Sequence, residues 1–246
     1  MTEYLWDGEM DCGWEELEEK VNATASLFYD KMLEIVQYSP YEKSRELINK
    51  ESMARFVDIA RVMSEKLEMG YYYEYEDIEN KNCNAYKLTT WILLGSLTES
   101  VLQMFLAFYI NDYEHSKWQQ WEEIKEDEIK KPIIDAINNL VDGESISRDQ
   151  GKSLKEAIKR KIKEHTVEHP VQKIMLDEII KYYTAMELMD EDELDYLKTI
   201  QSNRNGIHSF ENRTIGTWSD LQYSVRFWCY LLEWILNRLP EVPDYS

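Results

Sequence analysis

Residues 85–110 read AYKLTTWILLGSLTESVLQMFLAFYI. About 20 apolar residues in a row are enough to cross a bilayer. The stretch therefore admits two folds, a membrane span or the central helix of a bundle. Glu99 and Gln103 fall in its middle. A carboxylate at that depth in hydrocarbon costs at least a few kcal/mol. The flanks also carry more acids than bases. A helix enclosed by other helices of the same chain is the expected arrangement. It carries a consequence, because a lone glutamate inside a bundle is costly unless a cation reaches it. Arg204 is the first candidate for that cation; a structural ion pair elsewhere, or an exposed face, accounts for Glu99 as well.

The rest of the chain repeats the helical period. Leu17, Val21, Thr24, Phe28, Met32 and Ile35 fall on one face of a first helix, and Ser39-Pro40 stops it. A second helix is expected over about 43–69, with Leu47, Phe56, Ile59, Val62, Met63 and Leu67 inward and Gly70 at its end. Tyr71 to Asp77 lacks a helical pattern and is expected to form a loop, with a short strand or a contact patch as the alternatives. Pro132 suits the first turn of a helix running to Asp142-Gly143. Further helices are expected over 171–189 and about 191–208, the latter with Leu194, Leu197 and Ile200 buried. Thr217-Trp218-Ser219-Asp220 has the pattern of an N-cap and acidic first turn. The helix after it carries Leu221, Val225, Trp228, Leu231, Leu232 and Ile235. The expected fold class is all-α, an antiparallel helical bundle over 81–246 with an N-terminal helical extension over 1–80, or one continuous domain.

Composition sets limits on function. With 48 acidic and 28 basic side chains, the formal net charge is −20. That disfavours general nucleic-acid binding, which depends on neutralising phosphates. It leaves room for RNA in a local cleft, and it suits a basic partner. Three scattered cysteines, Cys12, Cys83 and Cys229, point to a reducing compartment. The first residues lack the basic start of a secretory signal, so a cytoplasmic protein is expected. His165 and His169 sit at i, i+4, a spacing used by metal sites, but Pro170 follows at once and no metal is expected.

One segment reverses the charge. Arg148, Lys152, Lys155, Lys159, Arg160, Lys161 and Lys163 face only Asp149 and Glu156 between residues 148 and 163. Leu154, Ala157, Ile158 and Ile162 supply a stripe expected to be buried. Two uses fit equally: a track for an RNA backbone, through Lys152, Lys155, Lys159, Arg160 and Lys163, or a solvated face that offsets the acidic segments.

The run Ser202-Asn203-Arg204-Asn205-Gly206-Ile207-His208-Ser209-Phe210 carries the chemistry. On one helix Arg204 and His208 would project side by side. An arginine offers phosphate oxygens a planar fork of donors, and a histidine titrates near neutrality. This run, with Arg213 to Trp218 and the long apolar helix ending at Leu239-Pro240, resembles the HEPN superfamily. So does Gly95-Ser96-Leu97-Thr98-Glu99-Ser100-Val101-Leu102, which looks like the G-x-x-x-E-x-x-L helix preceding the motif in such proteins. The gap between Arg204 and His208 is shorter by one residue than the family's usual minimum, which turns the histidine by about 100° on an ideal helix.

The resemblance implies a helical bundle that dimerises, and in many members a metal-independent, cofactor-free endoribonuclease of toxin, anti-phage or CRISPR-linked systems, with an antitoxin or other defence protein as a further partner. It implies Arg204, Asn205 and His208 as the catalytic set, to which the reading of Glu99 as the arginine's partner adds a supporting residue. A non-catalytic module binding a nucleotide or a partner protein is the second implication. A purely structural helical subunit is a third reading of the same residues.

Overall fold

The computed structural model describes residues 12–75, 81–116, 120–122, 130–164, 166–207 and 215–241. Among these it is helical almost throughout, with ten α-helices and one pair of three-residue strands. The chain forms two compact units. Residues 1–110 with 174–246 make the first, and 111–173 the second.

In the first unit, helix α1 (Trp14–Val36) buries Leu17, Val21, Ala25, Phe28, Met32 and Ile35, a 3.6-residue stripe. It packs along α3 (Lys50–Tyr75) and α10 (Trp218–Leu236). Phe28, Phe56 and Trp228 meet between the three helices, with successive ring centroids 5.6 and 5.8 Å apart. Helix α4 (Lys81–Phe108) is the centre of the unit and touches α3, α10, α8 (Leu176–Ala185), α9 (Glu191–Arg204) and the short α2 (Glu42–Leu47). Trp91, Leu94, Leu97, Val101 and Leu102 on it are essentially inaccessible. Ala85–Phe108 is long and apolar enough to span a membrane. Its packing on these helices accounts for that apolarity within the protein.

Several of the expected helices differ in extent: that over 171–189 is a 3-10 turn at Val171–Lys173 followed by α8 from Leu176 to Ala185. The stretch 43–69 is not one helix. Ile48 leaves helical geometry at φ −95°, ψ 87°, with its side chain buried. The Asn49 side chain then accepts the backbone N–H of Glu51 and Ser52, capping a new helix. Ile59 and Val62, expected inward, lie on the outer side of α3 at 36% exposure each. Gly70 does not end the helix, since α3 runs on to Tyr75, so residues 71–75 are helical where a loop was expected. Glu76 and Asp77 lie outside the described residues. The boundary expected between 80 and 81 is also not the seam seen here: α1 and α3 belong to the unit that holds α4 and α10.

The second unit holds α6 (Lys131–Asp142), α7 (Arg148–Glu164), and the strands β1 (Gln120–Glu122) and β2 (Thr166–Glu168), paired antiparallel with Trp121 opposite Val167. Helix α5 (Ile110–Glu114) runs across the boundary between units. Pro132 sits in the first turn of α6, and Gly143 closes it. Gly151 lets α7 approach α6 closely, because a Cβ there would collide with Val141 Cγ2. Of the expected α7 stripe, Ile162 is buried and Ala157 and Ile158 are half-buried, whereas Leu154 is 46% exposed. Helix α7 ends at Glu164 and β2 begins at Thr166, so no helix carries His169 beside His165, which lies outside the described residues.

Candidate functional site

Helix α9 is started by Asp190, whose carboxylate accepts from the Glu193 backbone while the Glu193 carboxylate accepts from the Asp190 backbone. Leu197 and Ile200 are fully buried. Arg204 follows Ile200 by four residues and so continues the buried stripe at its last turn. Its aliphatic stem crosses α4 at Gly95. A Cβ at position 95 would lie 2.5 Å from Arg204 Cδ and 2.9 Å from both its Cβ and Cγ. The guanidinium then reaches one turn further along α4, where Nη1 donates to Glu99 Oε2 at 2.7 Å.

The spacing Gly95-x-x-x-Glu99 has a physical content. Positions i and i+4 share a helix face. The glycine leaves room for the stem, and the glutamate receives the head. The two side chains are 22% and 17% exposed. The same oxygen accepts a second bond, from Leu176 N–H at 2.9 Å, at the first turn of α8. A carboxylate there meets an orphan amide and the positive end of the helix dipole. One turn on, Gln103 Nε2 donates to the Ile174 carbonyl at 2.8 Å. Helices α4, α8 and α9 are thereby joined at one carboxylate.

Beside this junction lies a cleft of about 480 Å³ lined by Ile92, Met175, Leu176, Asp177, Gln201, Arg204 and Asn205. Arg204 and Asn205, adjacent in sequence, both line it. Asp177 adds an acid and is bridged to Lys181 at 3.4 Å.

Helix α9 stops at Arg204, and Asn205–Ile207 forms one 3-10 turn. The expected α-helix to residue 208 is thus cut short, and the premise that Arg204 and His208 share one α-helical face fails with it. Packing and a buried amide set this end. Gly206 lies against Ile215, whose Cγ1 would stand 3.2 Å from an added Cβ. Asn203, 9% exposed, donates to the Thr199 carbonyl and accepts from Gly216 N–H at 2.6 Å. The chain on both sides of 208–214 is thus fastened to the end of α9. His208 lies outside the described residues.

The residues expected to contact RNA belong to α7, in the second unit. Lys152 and Lys159 are exposed on α7, and Lys155 is half-buried with its ammonium on Asn138 Oδ1 of α6. Arg160 is exposed on another side of the helix, and the Lys163 side chain is outside the description.

Sequence reasoning singled out Glu99, Arg204 and Asn205 but missed Gln201, Asn203, Leu176 and Asp177. Asn203 lay in the quoted motif run and Gln201 immediately before it, and nothing in either residue type marked it out from its polar neighbours. The α8 residues gave no signal, because their link to Glu99 spans 77 positions. Among the described residues, no group of three or more His, Cys, Asp or Glu side chains is arranged to hold a metal ion. Comparison with family models, with curated proteins and with solved structures gives no match.

Proposed function

We propose that this chain is a metal-independent endoribonuclease of the HEPN type, acting as a toxin or defence effector. The observation that carries the reading is Arg204: a guanidinium fixed by Glu99, seated over Gly95 and lining a cleft with Asn205 beside it. A fixed cation at a cleft wall is what the charge building on a phosphate in transit requires.

In this mechanism His208 takes the proton from a ribose 2′-hydroxyl, whose oxygen attacks the adjacent phosphorus. The bond to the 5′-oxygen breaks, and that oxygen leaves with a proton supplied by a second imidazole. Arg204 stabilises the phosphorane oxygens, Asn205 orients the phosphate, and Glu99 keeps the arginine's fork aimed. A homodimer supplies the second histidine. The products are a 2′,3′-cyclic phosphate and a free 5′-hydroxyl.

The test is cleavage of a mixed RNA pool in EDTA by the parent, Arg204→Ala and His208→Ala, each checked for folding. Cyclic-phosphate ends from the parent, lost in both variants, are expected. Equal cutting by His208→Ala would reject the mechanism.

A second reading, a non-catalytic module binding a nucleotide or a partner protein, is favoured by one observation. The charge of Arg204 is already balanced by Glu99, and Asp177 stands in the same cleft. A rise in melting temperature with mononucleotides, without RNA cleavage, would select it.

A further inference from the structure

Helix α7 distributes its charges unevenly. At about 100° per residue, Arg148, Lys152, Lys155, Lys159 and Lys163 fall within an arc of roughly 80°, and no other residue of the helix falls inside it. The face packed on α6 lies next to this arc. It holds Gly151, close to Val141, and the buried Ile162. Asp149 and Glu156 border the stripe on its far side. Arg160 and Lys161 lie off it, so the alignment is narrower than the run of bases in the sequence implies. Arg148, Lys152 and Lys159 are exposed, and among the described residues none of the three is within ion-pair reach of a carboxylate. Lys155 is half-buried at the edge next to α6, with its ammonium on Asn138 Oδ1 of that helix. One cation per turn recurs every ~5–6 Å over the length of the helix.

We infer that this stripe is a binding track for the phosphate backbone of single-stranded RNA, borne on a compact unit separate from the one that carries the Arg204 cleft. The choice of RNA as occupant rests on the ribonuclease reading; the need for a polyanion rests on charge alone. In a chain of net charge −20, a polyanion is repelled from the average surface and is held where like-signed cations are aligned without acids among them. Backbone contacts of this kind carry no sequence preference.

The probe is a fluorescein-labelled 2′-O-methyl oligoribonucleotide, which lacks the attacking hydroxyl and stays intact. Binding to the full chain is read by anisotropy over a series of salt concentrations. Each phosphate neutralised contributes about −0.7 to the slope of log Kobs against log salt for single strands. Four contacts give a slope near −3. The variant K152Q/K159Q is expected to lose about 1.4 of that slope and roughly 20-fold in affinity at 0.1 M salt. K161Q/K173Q removes the same charge from the same unit, off the stripe, and is expected to change affinity less than threefold. Equal weakening by the two variants, or no binding by the parent, would overturn the proposal. Displacement of the oligonucleotide by poly-glutamate at matched charge would assign the stripe to an acidic protein and overturn it as well. A chain that binds through α7 but never cuts RNA keeps this inference and loses the nuclease reading. A chain that cuts RNA but binds it independently of α7 does the reverse.

Discussion

At the residue scale, Gly95 is what lets the Arg204 stem lie over α4. An alanine in mid-helix is ordinarily better than a glycine by about 1 kcal/mol, so Gly95→Ala would stabilise α4 if the space were open. It is occupied by the arginine stem, with Arg204 Cδ 2.5 Å from the added methyl. Overpacking of this kind costs about 1–3 kcal/mol. The expected outcome is a net loss of stability in urea unfolding, together with loss of whatever activity depends on Arg204. Arg204→Ala removes Cγ and Cδ but leaves its own Cβ at 2.9 Å. In that background the penalty of Gly95→Ala should shrink without vanishing, a coupling above about 0.5 kcal/mol in a double-mutant cycle. Additive effects would mean that the stem does not lie over residue 95. Glu99→Gln tests the head of the same arginine. It keeps the shape and removes the charge. The expected cost is between about 1 and 3 kcal/mol, bracketed by exposed and buried pairs, and it should shrink when Arg204 is already alanine, leaving the part that comes from the Leu176 amide.

At the scale of elements, Asn203 is the test piece. Its amide joins the last turn of α9 to Gly216, at the entry to α10. Removing it leaves a part-buried N–H unpaired, a loss of about 1–3 kcal/mol. Asn203→Ala should lower stability by that amount and speed exchange of the Gly216 amide at least tenfold. Asn203→Asp keeps the acceptor and should retain most of the protection. Unchanged exchange in Asn203→Ala would show that Gly216 is held by something else. This contact also marks where sequence stops being readable. The stripes of α1, α4 and α10 were legible because each buries a whole face against helices, which imposes a strict period on the side chains. The start of α10 was legible because Thr217 and Asp220 form a local box. The break between α2 and α3 was not, since it depends on one asparagine capping the chain that follows it. Neither was the end of α9. The polar residues that set it come from both sides of a gap of 13 positions, and no local pattern joins Asn203 to Gly216. At the site, Arg204 and Glu99 were singled out as an expected pair because a buried charge demands a partner. The α8 amide that shares Glu99 had no such demand written in its side chains.

At the scale of the whole molecule, the first unit gathers helices from residues 1–110 and 174–246. Helix α1 packs on α3 and α10, and α3 packs on α4, so the N-terminal helices are part of the first unit's core and not an appendage to it. That core also fixes how the molecule responds to alkali. Cys229 and Tyr183 are enclosed in it, and burial raises both their pKa values. Cys12 is raised by burial too, and Tyr230 by burial together with its bond to Glu193. The sign follows from proton linkage. Below the unfolded-state pKa, both folded and unfolded chains hold these protons, and the stabilising contribution is complete. Above it, the unfolded chain releases them while the folded chain keeps them, so stability falls as pH rises toward the folded values. Unfolding free energy from urea titrations should therefore be level with respect to these groups up to about pH 8.5–9, where free thiols ionise. It should decline above that, and steepen past about pH 10 as the tyrosines join, with a slope near 1.4 kcal/mol per pH unit for each group. Self-repulsion of a chain at −20 acts in the same direction, so the absolute decline does not isolate the thiol. Comparison with Cys229→Ala does. That variant has no thiol to ionise at 229 in either state, and its decline between pH 9 and 10 should be shallower than the parent's. Parallel curves for the two proteins would mean that Cys229 ionises as readily folded as unfolded, which a thiol sealed in the α1 and α10 interface does not do.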